Sequence, residues 1–147
     1  MSGFGCSSEG HLTNYGGTTI ISQVATEKIK PVEWVGSSYK DFCSFPDLVQ
    51  DVMGFALYQA QIGRLHSCCK PMKGFGGASV VEIVDDHQGD TYRSIYTVKF
   101  ENAIYVLHAF QKKSKQGIKT PQSDIELIQR RLKAAEEDYK SGKGTKL

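Results

Sequence analysis

Apolar and polar residues alternate in three consecutive runs, Ser79 to Val84, Thr91 to Phe100 and Ala103 to Gln111. A period of two is the pattern of strands that bury one face. The connections, Asp85 to Asp90 and Glu101-Asn102, are rich in turn formers, and the second is short enough to require an antiparallel hairpin. Upstream, Pro31 to Val35 predicts a first strand that sends Trp34 to the core, and Gly36-Ser37-Ser38 a turn and N-cap for a short helix through Cys43. Phe45-Pro46-Asp47 opens a second helix, in which Val49, Val52, Met53, Ala56, Leu57 and Ala60 recur at three- and four-residue steps to about Gly63. Thr120-Pro121 and the acids Asp124 and Glu126 start a last helix, with Ile125, Ile128, Leu132 and Ala135 as its buried stripe to about Tyr139. The resulting order, β-α-α-β-β-β-α, is an α+β fold with helices packed against an antiparallel sheet.

The ends do not share this periodicity. Met1 to about Glu27 is rich in Gly, Ser and Thr and reads as a flexible extension. That leaves residues 28–140 as the folded domain and 141–147 as a fraying tail. The 147 residues suit one hydrophobic core. The longest apolar runs, such as Ala103 to Ala109, are far below membrane-spanning length, and the N-terminus lacks the character of a secretory signal. A cytoplasmic protein with no membrane partner is expected.

Of the four cysteines, Cys6, Cys43, Cys68 and Cys69, none forms a C-x-x-C pair, which fits a reducing compartment. His66, Cys68 and Cys69 are ligand types for zinc, but no second ligand pair at finger-like spacing follows. Small half-buried thiols in a loop are therefore preferred, and neither a metal nor any other cofactor is expected. The net charge of +2 says little; the clustering of cations between Lys112 and Lys133 says more.

Strand alternation sorts the chemically capable residues. Simple parity puts Ile104, Val106, His108, Phe110 and Lys112 on one face of the last strand, and Tyr105, Leu107, Ala109 and Gln111 on the other. On the middle strand Arg93 shares a face with Ile95, Thr97 and Lys99. An arginine in mid-sheet must reach water, pair with a carboxylate or meet a ligand, and Glu82 on the neighbouring strand is the obvious partner. His108, flanked by Leu107, Ala109 and Phe110, suits a satisfied half-buried histidine better than a catalytic one. Lys112, Lys113 and Lys115 form either a solvated loop or the cationic lining of a groove for an RNA backbone, with Lys73 and Lys119 as further phosphate contacts. The glycine loop around Lys73-Gly74-Phe75-Gly76 does not match a nucleotide-binding P-loop, so ATP is disfavoured.

Taken together, Lys73-Gly74-Phe75-Gly76, Tyr92-Arg93-Ser94-Ile95-Tyr96, and Leu107 to Ser114 followed by Thr120-Pro121 resemble the phage-derived, HigB-like branch of the RelE/ParE toxin superfamily. The likeness spans roughly Pro31 to Tyr139. It implies a RelE-like sheet and the toxin of a type II toxin–antitoxin pair, partnered by an antitoxin that often carries a helix-turn-helix. The implied activity is metal-independent, ribosome-dependent cleavage of mRNA by 2′-hydroxyl attack, which stops translation. Arg93 matches the family's phosphate-stabilising arginine, and Lys112 or Lys113 falls near its second cation. Where some members carry lysines on the first strand of the meander this chain has Glu82 and Val84, which leaves Glu82 or His108 for the general base, or an enzyme that depends mainly on positioning and charge. The alternative implied by the same superfamily is a ParE-like toxin that binds and inhibits DNA gyrase without cutting anything.

Overall fold

The computed structural model describes residues 28–77, 79–113 and 119–142, with Lys113 described in its backbone only. The proposed extension, Lys115 and most of the tail lie outside the described residues. The elements are β1 (Val32–Trp34), α1 (Ser38–Cys43), α2 (Asp47–Gln61), β2 (Cys69–Pro71), β3 (Val80–His87), β4 (Asp90–Thr97), β5 (Ile104–Lys113) and α3 (Gln122–Lys140). The fold is α+β, as the periodicity predicts. One five-stranded sheet runs β1-β5-β4-β3-β2, antiparallel throughout except that β1 pairs parallel with β5.

The short strand β2 is an addition to the expected order; three residues ending in proline show no alternation to read. Two strands are also longer than their alternation suggests. Asp85 and Asp86, turn formers by type, continue β3, and the reversal is confined to Gln88 and Gly89, both left-handed at φ 50° and 84°. Two consecutive residues of positive φ give the tight hairpin turn whose twist matches the strands. Asp86 is satisfied across the pair, its carboxylate accepting from the Thr91 hydroxyl at 2.6 Å.

Apolar layers cover both faces of the sheet. On one face α1 and α2 lay Phe42, Val49, Met53 and Leu57 against Val81, Ile83, Tyr96, Ile104 and Val106. Trp34 packs at the edge of this layer, half-buried, with its ring 5.1 Å from Tyr39. On the other face α3 sets Ile128 and Ala135 over Ile95, Tyr105 and Leu107, and Ile125 and Leu132 of the expected stripe are only half-buried. Neither long helix has a side-chain cap: Pro46 and Pro121 occupy the N-cap positions, and the Pro121 carbonyl accepts from the Asp124 and Ile125 amides.

One irregularity decides which residues face α3. Ile95 pairs with His108 but Tyr96 pairs with Val106, so Leu107 is an extra residue on β5, a β-bulge. Simple alternation therefore fails at this point. Ile104, Val106 and Ala109 face α2, whereas Leu107 faces α3, and His108, Phe110 and Lys112 follow it to the α3 face rather than joining Ile104 and Val106.

Candidate functional site

The α3 face of the sheet carries a continuous polar cluster between apolar neighbours. Register places Lys70, Glu82, Ile95 and His108 in one row across β2, β3, β4 and β5. The next rows on the same face hold Val84, Arg93 and Phe110, then Asp86, Thr91 and Lys112. Adjacent strands put such neighbours about 4.5–8 Å apart, close enough for long side chains to meet.

Arg93 is only 5% exposed and Glu82 7%, and they form a buried ion pair with Arg93 Nη1 2.9 Å from Glu82 Oε2. The same nitrogen donates to the Thr120 hydroxyl at 3.2 Å, which ties the approach to α3 down onto the sheet. The second carboxylate oxygen of Glu82 lies 3.4 Å from the exposed ammonium of Lys70. Glu82 thus bridges an inner and an outer cation, which offsets the cost of burying its charge.

Lys112 is 7% exposed and donates its ammonium to the backbone carbonyl of Lys119. Burial, and after it the positive charge of Arg93, pushes its pKa below the ordinary lysine value, while Glu82 pulls the other way. Lys112, Arg93 and Glu82 therefore share one electrostatic environment.

His108 is held from both ring nitrogens. Nε2 lies 2.8 Å from Asp124 Oδ1, and Nδ1 faces Arg131 Nη1 at 3.5 Å. Arg131 is a donor, so this arrangement assigns the ring hydrogen to Nε2, where it is given to Asp124. The same guanidinium donates to the Leu107 carbonyl at 2.9 Å and to the Ser37 hydroxyl at 3.0 Å, and the imidazole stacks on Phe110 with centroids 4.9 Å apart.

The structure thus brings Arg93, Glu82, Lys112 and His108 onto one face. Lys119 adjoins them through its carbonyl, and its side chain is exposed. Lys73 is not in the cluster: it follows the Pro71 end of β2, and the stretch of β3 from Val81 to Asp86 separates that end from the Lys112 row, roughly 17 Å at about 3.3 Å per residue. The backbone of Lys113 pairs with Asp90.

Sequence reasoning did not single out Lys70, Thr120, Asp124 or Arg131 as parts of this cluster. Asp124, Ile128, Arg131 and Ala135 follow one another at three- and four-residue steps, so α3 turns a mixed polar and apolar stripe toward the sheet. That stripe was available in the sequence, but reading apolar residues alone hides it.

None of the described helices is long and apolar enough to cross a membrane. A family model described as Phage derived protein Gp49-like (DUF891) matches residues 40–133, a segment that contains Glu82, Arg93, His108, Lys112, Asp124 and Arg131. No curated protein and no solved structure matches the chain.

Proposed function

We propose, from the premise that this chain belongs to the phage-derived Gp49-like family, a family associated with the toxins of toxin–antitoxin systems, that it is a HigB-like endoribonuclease acting on mRNA at the ribosome. The observation that carries this reading is the convergence of Arg93, Lys112 and Glu82 on one face of a rigid sheet. Two cations and a carboxylate are a minimal set for transesterification of an RNA phosphate.

In this reading the ribose 2′-oxygen forms a bond to the adjacent phosphorus as the bond from phosphorus to the 5′-oxygen breaks. The products are a 2′,3′-cyclic phosphate and a free 5′-hydroxyl. Arg93 and Lys112 offset the extra negative charge on the phosphorane, Glu82 accepts the 2′-proton, and water gives the departing 5′-oxygen the proton that makes it a hydroxyl. A phosphate entering here competes with Thr120 for Arg93 and with the Lys119 carbonyl for Lys112. Both contacts come from the segment leading into α3, so substrate and that segment exclude one another at the two cations. His108, committed to Asp124 and Arg131, positions β5 against α3 and is not assigned a proton-transfer role.

An antitoxin partner follows from the toxin reading, and covering the α3 side of this cluster is the simplest way for it to silence the enzyme. The second reading, a toxin that binds DNA gyrase without cutting, is favoured by the burial of Arg93 and Lys112, which are tied to protein groups. Induced expression followed by primer extension on cellular mRNA separates the two. New 5′ ends that vanish in Arg93→Lys, which keeps the charge but loses the planar fork, support cleavage. Growth arrest without new ends overturns it.

A further inference from the structure

Three soft or borderline ligand groups meet on the opposite side of the sheet, in the turn that leads from α2 into β2. A ring nitrogen of His66, Cys68 Sγ and Cys69 Sγ all lie within 4.8 Å of one another. His66 Nδ1 and Cys68 Sγ are 2.8 Å apart. The backbone holds the three in place: the Cys69 amide donates to the His66 carbonyl at 2.9 Å, and the Val84 amide to the Cys68 carbonyl at 3.1 Å. Phe55 packs against the imidazole edge, with centroids 5.4 Å apart and planes at 89°.

We propose that His66, Cys68 and Cys69 form a binding site for one Zn²⁺ ion, with two thiolates, one imidazole nitrogen and a fourth position left to solvent. With Zn–S near 2.3 Å and Zn–N near 2.0–2.1 Å, tetrahedral geometry sets ligand atoms about 3.5–3.8 Å apart. Adjustments of about an ångström in side chains of this turn reach that spacing. The buried Tyr96 hydroxyl lies in hydrogen-bonding contact with the Cys69 thiol. A metal-bound thiolate accepts such a hydroxyl, and an outer hydrogen bond of this kind is the usual companion of a metal ligand.

Binding exchanges protons for the metal with no change of oxidation state. Two S–H bonds break and release two protons, two Zn–S bonds form, and His66 gives the Nδ1 lone pair while its ring hydrogen stays on Nε2. The Cys68 amide, which donates to Nδ1 at 3.2 Å, gives up that contact. Cys69 and the exposed Lys70 are successive residues of β2, so the metal clamps the edge strand whose next residue reaches Glu82 on the far face. The site is remote from the RNA-cleaving reading and independent of it.

The test is a Co²⁺ titration of the full chain, reduced and freed of metal by a chelator that is then removed. It is run in a Cys6→Ser, Cys43→Ser background so that the other two cysteines cannot contribute. Expected are thiolate-to-cobalt charge-transfer absorption saturating at one equivalent, its loss on adding Zn²⁺, and release of two protons per metal. Cys68→Ser and His66→Gln alter half-buried side chains and should keep native circular dichroism while weakening binding by about 100-fold and at least about 10-fold. Absence of the charge-transfer band, or binding unchanged in both variants, overturns the proposal.

Discussion

Arg93 and Glu82 form an ion pair 2.9 Å long on neighbouring strands beneath α3, and the pair serves stability and the proposed chemistry with the same atoms. Removing one member leaves the other charged and buried, a loss of about 3–5 kcal/mol in comparable sites. Glu82→Gln is therefore expected to lower the melting temperature by about 6–20 °C, at roughly 2–4 °C per kcal/mol for a chain of this size. Replacing both, as Arg93→Met with Glu82→Leu, should recover most of that stability yet leave the protein without toxicity. A Glu82→Gln protein that melts like wild type would show that Thr120, not Glu82, holds Arg93 in place.

Gly36 is the residue between β1 and α1 that the Arg131 guanidinium crosses. Its φ is +58°, and a Cβ placed there would come 2.9 Å from Arg131 Nη2. Gly36→Ala combines left-handed strain of about 1–2 kcal/mol with displacement of the group that donates to Leu107 and faces His108. Thermal unfolding should show a loss larger than strain alone. In Arg131→Ala the further cost of Gly36→Ala should shrink to the strain term, and strict additivity of the two substitutions would disprove the coupling.

Stability of the reduced, metal-free protein should fall as pH rises above about 9. Burial, and next the charge of Cys69, pushes the Cys68 thiol up to about 11 from an ordinary 9.0, and burial raises Cys69, Tyr96 and Tyr105 in the same direction. A group whose pKa is higher folded than unfolded gives its full contribution below the unfolded value and loses it as pH climbs through the folded one. The thiols act from about 9 upward and the phenols from about 10. Lys112, lowered in the fold, works against this trend as pH approaches 10.5. Urea midpoints measured between pH 8 and 11 check the sign, and a midpoint that rises would contradict it.

For the proposed antitoxin, electrostatic capture at the Lys119 end of β5 should make association slower at high salt, since exposed charges are screened beyond about 10 Å at 0.1 M. Lys119→Glu, which changes an exposed side chain, should slow association and flatten the salt dependence. A stopped-flow rate constant indifferent to both would place the antitoxin on an apolar surface instead.

Much of the architecture was legible because long amphipathic runs announce themselves. The Val49 to Ala60 stripe and the alternation from Val80 onward depend only on which side of an element is wet. What escaped did so for local reasons. Cys69-Lys70-Pro71 is too short to show a period, and Asp85-Asp86 reads as a turn until Thr91 is seen to satisfy Asp86. The site was legible as an Arg93–Glu82 pair because adjacent strands must place a mid-sheet arginine beside something. Lys112 and His108 share its face only because Leu107 is an extra residue, and an alternation rule has no means of anticipating a bulge. The partners Asp124 and Arg131 are fixed by how α3 lies on the sheet, a tertiary relation that spacing within the helix only hints at.

The two outer strands, β1 and β2, are three residues each. On β2 one of the three is Pro71, which has no amide hydrogen to offer, and the part of β3 that runs past β2 carries Asp85 and Asp86. A second copy approaching the β2 border of the sheet finds a few backbone groups, a missing donor or a pair of negative charges in place of a long flat template. Edge-to-edge zippering between copies is thereby disfavoured at that border.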